Sequence, residues 1–141
     1  MVKYYYKRKT YKVTVEKGIG IESVTGEGRH KYEEEVTLRA QLKEGYGNEQ
    51  WSSEPTFTMP AEDVSLEVSA TPITYTIKYN LNGGSVTGNP QTYTVESENI
   101  ILKQPIKQNY EFIGWTGSNG NTVQKEVVIE KGTTGNKEYK N

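Results

Sequence analysis

Apolar and polar residues take turns along most of this chain. Tyr11, Val13 and Val15 are separated by Lys12 and Thr14. Val64, Leu66 and Val68 are separated by Ser65 and Glu67, and Tyr93 and Val95 by Thr94. A period of two places alternate side chains on one face of a strand. Tyr, Val, Ile and Thr suit a pleated, half-buried surface. Gly18-Ile-Gly20, Gly26-Glu-Gly28, Asn82-Gly-Gly84, Gly88-Asn-Pro90 and Asn119-Gly-Asn121 break the pattern and read as turns. The prediction is a mainly β chain with little or no helix.

The pattern also repeats itself at an offset of 64 residues. Tyr11, Val13 and Val15 recur as Tyr75, Ile77 and Tyr79. Val36 and Leu38 recur as Ile100 and Leu102, and Tyr46 and Trp51 as Tyr110 and Trp115. No gap is needed across these pairs. The period is too long for one solenoid turn and suits a small domain. Two tandem modules of one fold are expected. An N-terminal extension covers 1–10, the first module 11–70, a linker 71–74 and the second module 75–141. A proline at Pro72 restricts bending in so short a link.

The repeat also settles one ambiguous stretch. Glu33 to Lys43 is rich in helix formers, yet Val36, Leu38, Ala40 and Leu42 alternate as in a strand. Its counterpart meets Pro105 soon after Leu102, and proline disrupts a helix interior. Two copies of one fold share the element, so both read as strands. At most a helical turn is expected near Glu96 to Asn99.

Composition sharpens the expectation of small modules. A unit of this size buries only about 60% of its unfolded surface. With no cysteine and one histidine, disulfides and a structural metal drop out as staples. Eleven tyrosines, two tryptophans and two phenylalanines are then expected to carry the cores, since each aromatic buries a large area. A formal net charge of −1 argues against a general nucleic-acid or acidic-membrane binder. No apolar run approaches the length of a membrane span. The basic start lacks the apolar stretch of a signal peptide, and the chain reads as a piece of a longer protein.

Candidate chemistry is sparse. His30 lies in the polar stretch Gly28-Arg-His-Lys-Tyr32 and reads as a solvated loop residue. Asp63 is the one aspartate, so calcium loops of the Asp-x-Asp-x-Asp-Gly kind are absent; a turn role bonding nearby backbone is expected for it. Glu33, Glu34 and Glu35 point to alternate faces of a strand and form no acid–base pair among themselves. No catalytic residues, cofactor site or metal site are assigned. The two tryptophans read as core anchors rather than exposed sugar platforms. Lys3, Tyr5, Lys7, Arg8 and Lys9 are the candidate ligand-binding residues. Cations attract phosphate-like groups and interleaved tyrosines can stack, which suits an anionic glycan or wall polymer.

Some of these residues form a familiar pattern. Tyr75-Thr-Ile-Lys-Tyr-Asn-Leu-Asn-Gly-Gly84, Asn109-Tyr-Glu-Phe-Ile-Gly-Trp115 and Gly132-Thr-Thr-Gly-Asn-Lys137 resemble the internalin B-repeat, or Listeria–Bacteroides repeat. Tyr11-Lys-Val-Thr-Val15, Glu44-Gly-Tyr46, Trp51 and Phe57-Thr-Met-Pro-Ala-Glu-Asp-Val64 resemble its divergent relative. Asn48-Glu-Gln50 stands where an aromatic and a glycine usually precede the tryptophan, which implies a looser hairpin there. Asn109 stands where glycine is usual, and Asn tolerates the left-handed turn. The family's closing tryptophan has no match after Tyr139, so a frayed last strand is expected. The resemblance implies β-grasp-like, ubiquitin-like sheets with the helix shortened or replaced. It implies a non-catalytic tandem module of a bacterial surface, wall-attached or secreted protein, outside the cell; a monomer is expected. The tandem copies, the short link with Pro72 and the lack of catalytic residues lead to the expectation of a spacer presenting an adhesive domain; strand edges and the basic, tyrosine-rich start support the alternative, a module binding a host protein, glycan or anionic wall polymer.

Overall fold

The computed structural model describes residues 3–141 and divides into two compact units, Met1–Thr71 and Pro72–Asn141. Among the described residues every regular element is a strand.

The first unit contains β1 (Thr10–Lys17), β2 (Ile21–Thr25), β3 (Gly28–Lys31), β4 (Glu35–Thr37), β5 (Arg39–Leu42), β6 (Tyr46–Trp51), β7 (Thr56–Thr58) and β8 (Val64–Pro72). Its main sheet runs β3-β1-β8-β6, with β1 and β8 parallel at the centre. A β-grasp sheet has this order: the first and last strands lie parallel in the middle, each with an antiparallel neighbour outside. In place of a helix, β4 and β5, which lie between β3 and β6, pair with strands outside that connection and form two ribbons, β2 with β5 and β4 with β7. Val36 and Leu38 are buried while Thr37 is exposed, so residues 35–42 follow the strand alternation, in β4 and β5, rather than a helix.

The second unit contains β9 (Tyr75–Asn80), β10 (Thr92–Tyr93), β11 (Ile100–Ile101), β12 (Trp115–Gly117), β13 (Gly120–Gln124), β14 (Val128–Ile129) and β15 (Lys137–Lys140). Its sheet runs β10-β9-β15-β12-β13, with β9 and β15 parallel. The segment before β11 makes a tight turn closed by Ser97 N–H to the Thr94 carbonyl at 3.1 Å, not a helical turn. Asn109 adopts φ 67°, the left-handed conformation its turn requires.

Sheet register shows that the two units share one scaffold. In the first, Glu16 lies beside Glu67, whose carbonyl accepts the Ser52 N–H. In the second, Asn80 lies beside Lys140, which pairs with Thr116. Glu16 to Asn80 and Ser52 to Thr116 are both steps of 64, whereas Glu67 to Lys140 is a step of 73. Trp51 and Trp115 therefore occupy one slot. The nine additional residues fall after Trp115, where the β12–β13 hairpin adds an edge strand. Gly117 makes the hairpin possible. It sits at the irregularity in the β12–β13 register with φ 119°, where a Cβ would lie 2.3 Å from the Glu138 carbonyl oxygen.

A second shared device latches the central strands. Asp63 Oδ1 accepts the Lys12 N–H at 2.8 Å, and Asn136 Oδ1 accepts the Thr76 N–H at 2.9 Å. Asp63 thus reaches across to β1 rather than bonding backbone in its own turn.

The cores differ in kind. Val13, Val15, Val36, Leu38, Met59, Leu66 and Val68 fill the first, so the expectation of an aromatic core fails there. The second is built around Trp115, fully buried against Phe112, Tyr79 and Tyr139. The same positions in the first unit hold Asn48, Val15 and Leu66. Without aromatic neighbours Trp51 is only half-buried, and its indole N–H donates to Glu49 at 2.7 Å. It caps its core from the edge rather than anchoring it. The last strand is ordered, with Tyr139 buried on β15.

Candidate functional site

Lys3, Tyr5, Lys7, Arg8 and Lys9 are all exposed and precede the first strand without regular structure of their own. Two bonds tie the end of this segment to the turn after β3. The Arg8 guanidinium donates to the Tyr32 carbonyl at 3.1 Å, and the Tyr32 N–H donates to the Lys9 carbonyl at 2.9 Å. Tyr4, Tyr5 and Tyr6 lie open to solvent, so the candidate residues form a surface strip rather than a pocket.

Strand register extends this basic strip. Antiparallel pairing sets Lys12 opposite Arg29 and Thr10 opposite Lys31. All four are exposed on the face away from the core. Directly opposed like charges are unfavourable on a sheet, and among the described residues no ion pair includes Lys12 or Arg29, while Lys31 lies near enough to the Glu34 carboxylate to help lower its pKa. Asp63 meets Lys12 only through its backbone N–H. Arg29 and Lys31 escaped sequence reasoning because their alignment with Lys12 is a register fact, and Gly28-Arg-His-Lys31 carries no apolar alternation to mark a strand.

His30 sits between these cations on the opposite face of β3, so the solvated-loop expectation is corrected. Its Nδ1 bonds the Glu34 carboxylate and its Nε2 donates to the Gly26 carbonyl at 2.7 Å. The Glu34 bond, then the carbonyl, raise the imidazole pKa above its ordinary value, and the imidazole lowers that of Glu34. Both nitrogens are occupied, so the ring has a clamping role.

Two clefts are also present. One, of ≈ 300 Å³, lies on the outer face of the first unit, where Trp51 borders Glu16, Glu67 and Ser52. The other, of ≈ 240 Å³, lies in the second unit between Leu81–Gly84 and Tyr110–Gly114. Among the described residues no three His, Cys, Asp or Glu side chains are grouped to hold a metal ion. Glu33, Glu34 and Glu35 do not alternate along one strand as expected: Glu33 lies in the turn before β4 with φ 69°, Glu34 bonds His30, and Glu35, the first residue of β4, accepts from the Thr58 hydroxyl at 2.8 Å.

The comparisons agree with this duplicated architecture. A family model described as a divergent InlB B-repeat domain matches residues 11–74, and one described as a Listeria-Bacteroides repeat domain matches residues 75–138. No curated protein and no solved structure matches the chain significantly. Repeat domains of these types occur in bacterial surface or secreted proteins. The shared strand row, the paired latches and the two matches make the chain a tandem of two repeat domains, a divergent InlB B-repeat domain followed by a Listeria–Bacteroides repeat domain.

Proposed function

We propose that this chain is a non-catalytic tandem module of a bacterial cell-surface or secreted protein, working as a spacer that presents a neighbouring adhesive domain. The observation that carries this reading is the duplicated strand row, Glu16–Glu67–Ser52 and Asn80–Lys140–Thr116. The scaffold is preserved while the core chemistry changes from aliphatic to aromatic. A role carried by shape tolerates such a change, whereas a reaction site depends on placed side chains. To test it, the chain is displayed between a wall anchor and a reporter binding domain. Capture through the reporter should match that given by an unrelated two-module spacer. Saturable capture of host proteins, glycans or wall polymer by the chain alone would refute the spacer role.

A second reading, ligand capture, is favoured by the opposed cations Lys12 and Arg29 beside Lys31 and the Lys3–Lys9 strip. A polyanion such as a wall polymer or anionic glycan would neutralise a charge pairing that the fold itself leaves uncompensated. Binding should weaken with added salt and disappear when Lys7, Arg8 and Lys9 are changed to Glu. Absence of binding at every salt concentration removes this reading.

A further inference from the structure

The outer face of the first unit's sheet is divided by charge. Along β1 the residues exposed on that face are Thr10, Lys12, Thr14 and Glu16. At one end Lys12 lies opposite Arg29. At the other, Glu16 lies beside Glu67 in the parallel ladder with β8. Lys12 and Glu16 stand about 13 Å apart along the strand. Each end therefore holds an adjacent pair of like charges, an unfavourable arrangement on a sheet. Among the described residues no ion pair includes Lys12, Arg29, Glu16 or Glu67. Two other carboxylates beside β1 are engaged with its backbone: Asp63 accepts the Lys12 N–H and Glu27 the Val15 N–H, both at 2.8 Å.

The second unit arranges the same face differently. At the offsets of 64 and 73, Thr14 and Ser65 become Lys78 and Glu138, and Glu16 and Glu67 become Asn80 and Lys140. Lys78 lies beside Glu138 in the parallel ladder, and Glu138 approaches Lys140 at 3.9 Å. Opposite charges adjoin there, so the face is neutralised by its own residues. The first unit's face reaches that state only through an outside partner.

We propose that this partner is a second copy of the chain, whose first unit docks face to face on the same surface. A two-fold axis lying between two such sheets exchanges their charged ends. It sets Lys12 and Arg29 of one copy against Glu67 and Glu16 of the other, and the reverse, so one contact made twice neutralises every like-charge pair. Aligned sheets pack about 10 Å apart with their strands within about 30°, a gap that two long charged side chains span. The ≈ 300 Å³ cleft over Glu16, Glu67 and Ser69 leaves room for the incoming cations. Thr14, Ser65 and Ser52 are the exposed residues beside the charged ends, so the interface holds little apolar area and belongs to the weak, reversible class. The proposal goes beyond both readings above. It gives Lys12 and Arg29 an occupant other than a polyanion and replaces the expected monomer with a reversible dimer.

Sedimentation equilibrium of the 141-residue chain tests this. A concentration-dependent dimer is expected at low salt and should dissociate at about 1 M salt, where the screening length falls to about 3 Å. Lys12→Glu with Arg29→Glu, and separately Glu16→Lys with Glu67→Lys, should each weaken self-association at least about tenfold, because like charges then meet. An equimolar mixture of these two double variants, one face acidic and the other basic, should associate where each alone does not. All four substitutions together reverse the face and should restore the dimer. Lys78→Glu, on the second unit's outer face, should leave it unchanged. No dimer up to about 1 mM chain at low salt would overturn the proposal. So would a dimer insensitive to either double variant or weakened equally by Lys78→Glu, or a mixture and a fourfold variant that both stay monomeric. Reporter capture and polyanion binding test the two earlier readings independently of this result.

Discussion

Replacing the two tryptophans one at a time separates slot from environment. Trp115 is fully buried among three aromatic rings, and Trp→Ala in such a site costs about 3–5 kcal/mol. A unit of this size is stable by roughly 3–10 kcal/mol at ordinary per-residue values. Trp115→Ala should therefore leave the second unit marginal or unfolded at room temperature. Trp51 fills the same slot but is half-buried beside aliphatic side chains. Its loss should cost about 1–2 kcal/mol on the area it removes from water, lowering the melting temperature by roughly 4–8 °C per kcal/mol. Trp115→Phe provides the finer test. The Trp115 indole N–H is buried without a partner, and such a donor costs about 1–3 kcal/mol. Phe removes that penalty while keeping much of the ring, so the net loss should be about 1 kcal/mol or less. Each alanine variant retains one tryptophan, which reports on the other unit by fluorescence while circular dichroism follows the whole chain. If Trp115→Ala melts no earlier than Trp51→Ala, the assignment of Trp115 as the core anchor is wrong.

The latches predict an asymmetric result: Asp63→Ala should cost about 1 kcal/mol, whereas Asp63→Asn should cost far less because Asn136 makes the same bond in the second unit. Equal losses in thermal melts would refute the latch. The raised His30 pKa makes its contribution to the first unit complete below about 6.5 and lost as pH rises through the folded value. The lowered Glu34 pKa makes its contribution complete above about 4.5 and lost as pH falls. Their pair should therefore stabilise most between those limits, and melting temperature against pH should flatten at both ends in His30→Gln. Burial, with Tyr139 nearby, pushes the Tyr79 hydroxyl up to about 12; its contribution is present below about 10 and disappears as pH climbs toward that value. A tyrosinate absorbance titration should lose its latest component in Tyr79→Phe, and an unchanged titration would refute the assignment.

Elements with local periodicity were legible in the sequence. Val13, Val15, Val36 and Leu38 alternate and are buried, and Asn109 takes the left-handed turn. The 64-residue offset survives as a sheet row because a one-residue slip would move every side chain to the other face. Features set by distant partners were hidden. Lys137-Glu-Tyr-Lys140 offers one apolar residue, so nothing local fixes its pairing with β9 nine residues out of the earlier register. His30 stands between two cations, and only the ladder with β1 turns it toward Gly26 and Glu34. The opposed Lys12 and Arg29 and the walls of the second-unit cleft arise from residues far apart in sequence.

Where the two units differ bears on where recognition can occur. The central parallel strands and their latches coincide. The additional strand β13 and the cations on β3 lie on edge strands, and the cleft beside Leu81–Gly84 opens past the ends of β9 and β15. A central strand is paired on both sides and covered on one face, so altering it disturbs two ladders and the core together. An edge has a free side, and a residue added or a charge placed there costs little beyond its own neighbourhood. Two units built on one frame can therefore acquire different surfaces without renegotiating the frame. Substitutions at the edges should therefore leave stability nearly constant, whereas Val13, Leu66 or Trp115 substitutions should lower it directly.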